Sequence, residues 1–200
     1  MSARRSLLIA ALCGCFAIPA FAQSTSVHLR GTIDAVDGGS MQVTTRSGQQ
    51  QTLAMASNLV VAQIVAIGIA EIQPNAYIGT ATVPQPDGTW LAREVQVFPE
   101  SMRGVGDGDH AWDVEPGGTM TNGTVGTVTG TSGRTLTVRY KGGEKQVVVP
   151  AHAPIVTYAP GTPAMLVPGA HVIITATQNS RGSLVATRVG VGKDGLVPPM

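Results

Sequence analysis

The densest set of residues able to do chemistry is Asp107-Gly108-Asp109-His110, with Asp113 shortly after. Carboxylate oxygens and an imidazole on a glycine-rich stretch are ligands suited to Ca²⁺, Mn²⁺ or Zn²⁺. The spacing is not that of an EF-hand loop, because the turn glycine and the closing Glu are missing from their places. An acidic, solvated connector explains the same residues. The remaining histidines, His28, His152 and His171, are scattered and make no His-x-x-x-His pair. Metal binding at Asp107, Asp109, His110 and Asp113 stands as an alternative, and no cofactor is expected.

Catalytic patterns are missing. There is no Gly-x-Ser-x-Gly elbow, and the two cysteines, Cys13 and Cys15, lie near the start of the chain. Asp34, Asp37, Asp87, Glu94 and Glu144 fall in turns or on outward strand faces, where solvated acids are the rule. Gly104-Val105-Gly106-Asp107-Gly108 is followed by no helical pattern, so it lacks the context that cradles a phosphate. No catalytic residue is assigned, and the chain is not expected to be an enzyme.

Contact residues are easier to nominate. Arg103, His110, Trp112 and Asp113 sit in one acidic, glycine-rich stretch, and Arg139 and Tyr140 join Lys141 and Lys145 on one hairpin. A plain linker has no need of Trp112, one of two tryptophans. Docking on the body of the protein and stacking on a ligand are both open to it. The basic hairpin reads equally well as a solvated face.

The start of the chain bears on where these groups work. Arg4-Arg5, an apolar run from Ser6 to Pro19 and Ala20-Phe21-Ala22 form a cleavable secretory signal over 1–22. The run is shorter than the ~20 residues a membrane span needs. Its removal leaves no transmembrane segment and implies a periplasmic or secreted protein. Leu12-Cys13-Gly14-Cys15 is the alternative, a lipoprotein acylated at Cys15. Cleavage after Ala22 takes two of the 13 basic residues and none of the 12 acids, leaving the remainder near neutral. A nucleic-acid partner held by bulk charge is therefore not expected.

The elements that must position these residues are strands. Val27, Leu29, Gly31, Ile33 and Ala35 alternate with His28, Arg30, Thr32 and Asp34, a period of two. Asp37-Gly38-Gly39, Ser47-Gly48, Pro86-Asp87-Gly88 and Gly142-Gly143 punctuate further strands at 40–45, 50–55, 77–83, 90–98, 135–140, 145–149, 171–177 and 184–191. Residues 59–65 read as a strand and 66–72 as a helical turn, with 155–158 as the later strand equivalent.

Pro74-Asn75-Ala76-Tyr77-Ile78 recurs as Pro168-Gly169-Ala170-His171-Val172, 94 positions later (168 against 74), and Gly88, Ala92, Val95 and Val97 match Gly182, Ala186, Val189 and Val191 at the same shift. The fold class expected is all-β: two tandem, OB-like Greek-key barrel units of about six strands each. The divisions are a signal at 1–22, unit 1 at 23–98, a Gly/Asp-rich connector at 99–119 and unit 2 with a tail at 120–200.

Phe98-Pro99-Glu100-Ser101-Met102-Arg103-Gly104, His110, Trp112-Asp113, Thr119 to Asn122 and the ending from Gly192 to Met200 resemble a family of exported bacterial proteins that carry a domain of unknown function. The resemblance implies a periplasmic β-barrel protein with no established activity. Some relatives carry the label "metal ABC transporter permease", which needs several long apolar spans that this chain lacks after its leader. The function expected is a non-enzymatic binding or interaction protein, its partner an envelope protein or a small ligand. An envelope scaffold and a metal-binding accessory protein are the alternatives.

Overall fold

A computed structural model describes residues 25–112, 115–130, 134–179 and 182–199. The signal expected at 1–22 and Asp113 lie outside the described residues. Among these residues the chain forms twelve strands, short 3-10 turns and no α-helix, so the all-β class holds. No helix among them is long and apolar enough to cross a membrane.

The strands are β1 (Thr25–Asp37), β2 (Ser40–Thr45), β3 (Gln50–Ala66), β4 (Tyr77–Pro84), β5 (Trp90–Val97), β6 (Gly108–Ala111), β7 (Thr119–Thr129), β8 (Thr135–Tyr140), β9 (Gly143–Val148), β10 (Ile155–Pro160), β11 (His171–Gln178) and β12 (Leu184–Gly192). Their origin is local. Met41 and Val43 are buried while Gln42 between them is exposed, and on β8 Leu136 and Val138 are buried on either side of the half-buried Thr137. At the β4–β5 turn Gly88 takes φ +83°, and the Asp87 carboxylate accepts from the Thr89 backbone N–H at 2.9 Å.

Pairing closes the strands into two five-strand circuits. The first runs β1–β2–β3–β12–β11 and back to β1, antiparallel throughout except for β3 with β12. The second runs β7–β8–β9–β5–β4 and back to β7, closed by a short parallel contact of Trp90 with Val147 and Leu91 with Val148. Each encloses its own core. Ile33, Met41, Val43, Leu53, Ile174 and Val189 fill the first, and Ile78, Val95, Val125, Leu136, Val138 and Val147 the second. The turns before β4 and β11 supply one plug each, Ile72 to the second core and Leu166 to the first.

This pairing departs from the expected one. Units 23–98 and 120–200 do not each close on themselves: the first three strands of either unit take the final hairpin of the other. Each circuit has five strands rather than about six, with β10 and β6 outside the circuits. The exchange is regular. Gly31 lies opposite Val172 where Gly123 lies opposite Ile78, and Val189 pairs with Val61 where Val95 pairs with Ile155. Strand β10 lies between β5 and β3, and its Tyr158 pairs with Ile64, its own counterpart 94 positions earlier (158 against 64). A pseudo-twofold axis therefore passes through that residue pair.

Candidate ligand site between the barrels

Of the nominated residues, Arg103 and Asp107 hold the connector down. Strand β6 adds to β7, pairing Gly108 with Asn122 and Ala111 with Thr119. Arg103 grips Glu100 at 2.5 and 2.7 Å, donates to the Asn75 carbonyl at 2.8 Å and lies 5.9 Å from the Tyr77 ring centroid. Asp107 accepts from the Lys141 backbone N–H at 3.0 Å. Arg139 pairs with Glu144 at 2.8 Å on an exposed surface, and His110 is exposed on β6.

Asp109 is bound up in a different way. Lys145 Nζ, almost wholly buried, donates to it at 2.7 Å and also to Thr119 and Thr121, while lying 3.6 Å from the Trp90 ring centroid. Burial pushes the Asp109 carboxyl up, but the hydrogen bonds of Lys145 and Thr121 and the charge of Lys145 outweigh it and hold it below the ordinary range. Burial lowers the Lys145 pKa against the pull of Asp109. Burial also raises Tyr140, whose ring centroid is 5.9 Å from the same ammonium. Among the described residues no group of three or more His, Cys, Asp or Glu side chains is placed to hold a metal ion. Of the set Asp107, Asp109, His110 and Asp113, the last lies outside the described residues, while Asp107 accepts from the Lys141 backbone and Asp109 from Lys145.

Trp112 leads to the cleft. Its backbone N–H donates to the Gly118 carbonyl at 2.9 Å, and the Arg30 guanidinium of β1 lies 5.0 Å from its ring centroid. Thus a connector aromatic meets a first-barrel arginine. Beside it opens a cavity of about 220 Å³ whose walls come from both barrels: Arg46 after β2, Ala81 to Val83 on β4, Arg93 and Glu94 on β5, with Trp112, Glu115, Pro154 and Pro199.

Glu94 is the residue that strand reasoning missed. It is 4% exposed, not solvated, and its Oε1 has no hydrogen-bond partner. On β5 Val95 points into the second core, so Glu94 and Gln96 lie on the outer face of that barrel, where the first barrel covers them. Burial raises the Glu94 carboxyl to about 7, against the pull of Arg30 and then Arg46. Gln96 accepts from the Tyr158 hydroxyl at 2.8 Å, and burial, then the charge of Glu94, drives that phenol up to about 12. At the rim Arg93 clasps Glu115 with two hydrogen bonds, at 2.6 and 2.5 Å. The signal available in the sequence was asymmetry between repeats: at the 94-residue shift Glu94 answers to Arg188.

Arg46 marks the far wall. Its guanidinium donates to the backbone carbonyls of Pro198 and, at 3.3 Å, Pro199, so an extended piece of chain already lies along one side. Chemically the cleft offers a protonatable carboxyl, arginine donors and apolar walls.

The fold and cleft define an all-β barrel protein with a buried acidic group between its barrels. Residues 125–190 match the model of a family described as a domain of unknown function, DUF5666. The matched stretch covers the second half of β7, all of β8 to β11 and most of β12, a single linear repeat whose strands serve both barrels. No curated protein and no solved structure matches the chain significantly.

Proposed function

We propose that the chain is a non-enzymatic binding protein whose ligand occupies the cleft lined by Glu94, Arg46, Arg93 and Trp112. The observation that carries this reading is the buried Glu94 Oε1, left without a partner at a cavity wall. A buried polar atom without a partner costs about 1–3 kcal/mol, and a ligand N–H or O–H recovers that cost on binding. The neighbouring arginines disfavour a cationic ligand. A neutral amide suits better, because its N–H serves Glu94 and its carbonyl serves a guanidinium. Arg46 already holds backbone carbonyls in this way. The ligand class is therefore an extended peptide segment or a compact amide of similar shape, its apolar part against Trp112, Pro154 and Val83. The signal-like residues 1–22 favour a periplasmic or secreted setting.

The test uses a blocked Val-Pro-Pro amide, which repeats residues 197–199, titrated into isotopically labelled full-length chain. Amide shifts gathered at residues 81–83, 93–94 and 118, with a change in Trp112 fluorescence, are expected. Glu94→Ala should remove them and Arg139→Ala should not. Shifts confined to the 139–145 hairpin, or none in the millimolar range, would take the site away from the cleft.

A further inference from the structure

A second property follows from the strand exchange and does not depend on the cleft reading. Strands β1, β2 and β3 form an open sheet whose two free edges, on β1 and β3, are filled by β11 and β12. Strands β7, β8 and β9 are filled at the matching positions by β4 and β5. Register is shared to the residue: Thr32 lies opposite His171 and Thr124 opposite Tyr77, with His171 and Tyr77 equivalent at the 94-residue shift. Both junctions are surrounded by core side chains, Ile174 and Val189 in one barrel, Ile78 and Val95 in the other. The β3–β10 ladder, centred on Ile64 and Tyr158, is isologous about the pseudo-axis.

We infer that the open three-strand sheet of a repeat is a docking surface and that its partner is the final β-hairpin of a second repeat. In this chain two repeats satisfy each other, and the connector only raises their effective concentration. The connector makes no strand of either circuit, so the two halves hold together without it. By the same geometry a unit present once, such as the stretch matched at 125–190, fits a second copy of itself about a true twofold axis.

The experiment uses the full chain carrying a specific protease site inserted between residues 113 and 114. After cutting, both pieces are expected to elute together at the mass of the uncut protein, with unchanged circular dichroism, and to part only in denaturant. Separation of the pieces under native conditions, folded or unfolded, overturns the inference. A disulfide reporter distinguishes exchange from simple adhesion of two self-closed barrels. Ser26 faces Thr177 across β1–β11, whereas in a self-closed unit it would face Val83, 94 positions before Thr177. The Ser26→Cys, Thr177→Cys chain is expected to oxidise readily and the Ser26→Cys, Val83→Cys chain not to. The reverse result overturns the exchange.

Discussion

Glu94 and Lys145 are both buried charges, resolved in opposite ways. The Glu94 carboxyl sits at about 7 against an ordinary 4.5. Its charged and titratable neighbours are Arg30, Arg46 and Tyr158. Between those two values the folded chain holds a proton that the unfolded chain releases. Stability should therefore fall as pH rises from about 4.5 to about 7, then stay level. Glu94→Gln should abolish that slope and, near pH 8, exceed the parent by roughly 3 kcal/mol. Urea unfolding at about pH 5 and about pH 8 measures both, and an unchanged slope in Glu94→Gln would assign it to other groups. Lys145 has a full set of partners, so Lys145→Met should cost about 1–2 kcal/mol through its lost hydrogen bonds to Asp109, Thr119 and Thr121, while a distant surface change such as Lys193→Ala should stay within about 0.5 kcal/mol. Sequence spacing pointed to Asp109 as a metal ligand because acid, glycine and histidine cluster there. It placed Lys145 on the basic hairpin but carried no sign that this lysine reaches Asp109 from another strand. Glu94 was placed on an outward strand face, which is correct for its own barrel. What hid it was the second barrel covering that face.

Strand positions were readable because alternation and glycine turns are local. The strands read at 50–55 and 59–65 are one continuous element, β3, and a single 3-10 turn at Ile69–Glu71 falls within the helical turn expected at 66–72. Close approach also leaves a mark at this scale. A Cβ on Gly31 would lie 2.2 Å from the Thr44 carbonyl oxygen, and one on Gly123 would lie 2.4 Å from that of Arg139. Both residues occupy the same place in their repeats, on β1 and β7, where each strand is held on two sides. Alanine at either should cost about 2–3 kcal/mol through backbone displacement. Alanine at Gly39 or Gly68, where a Cβ meets nothing within 4 Å, should change stability by about 0.5 kcal/mol or less. Thermal melts of the four variants check the contrast, and equal effects would remove the packing explanation.

At the scale of the molecule, duplication was visible at the 94-residue shift, but the pairing of hairpins was not. A period of two names the face a residue occupies, never the strand beside it, and either hairpin satisfies the same edges. Exchange ties the two cores into one cooperative unit. Leu53→Ala, a change in the first core, should therefore shift the melt followed by Trp90 in the second barrel, giving one transition whichever barrel is monitored. Two separate transitions would mean that the barrels unfold alone. The same wiring decides what a shortened chain loses. A nonsense codon shortly after Pro160 deletes β11 and β12, yet β4, β5, β7, β8 and β9 all survive, so the barrel left gaping is the one begun by the earliest strands. During synthesis β1 likewise has no closing neighbour until His171 emerges to meet Thr32, a separation of 139 residues. Assembly of the shell begun by β1 is therefore slow, and its bare strand edges need guarding until β11 and β12 have been made.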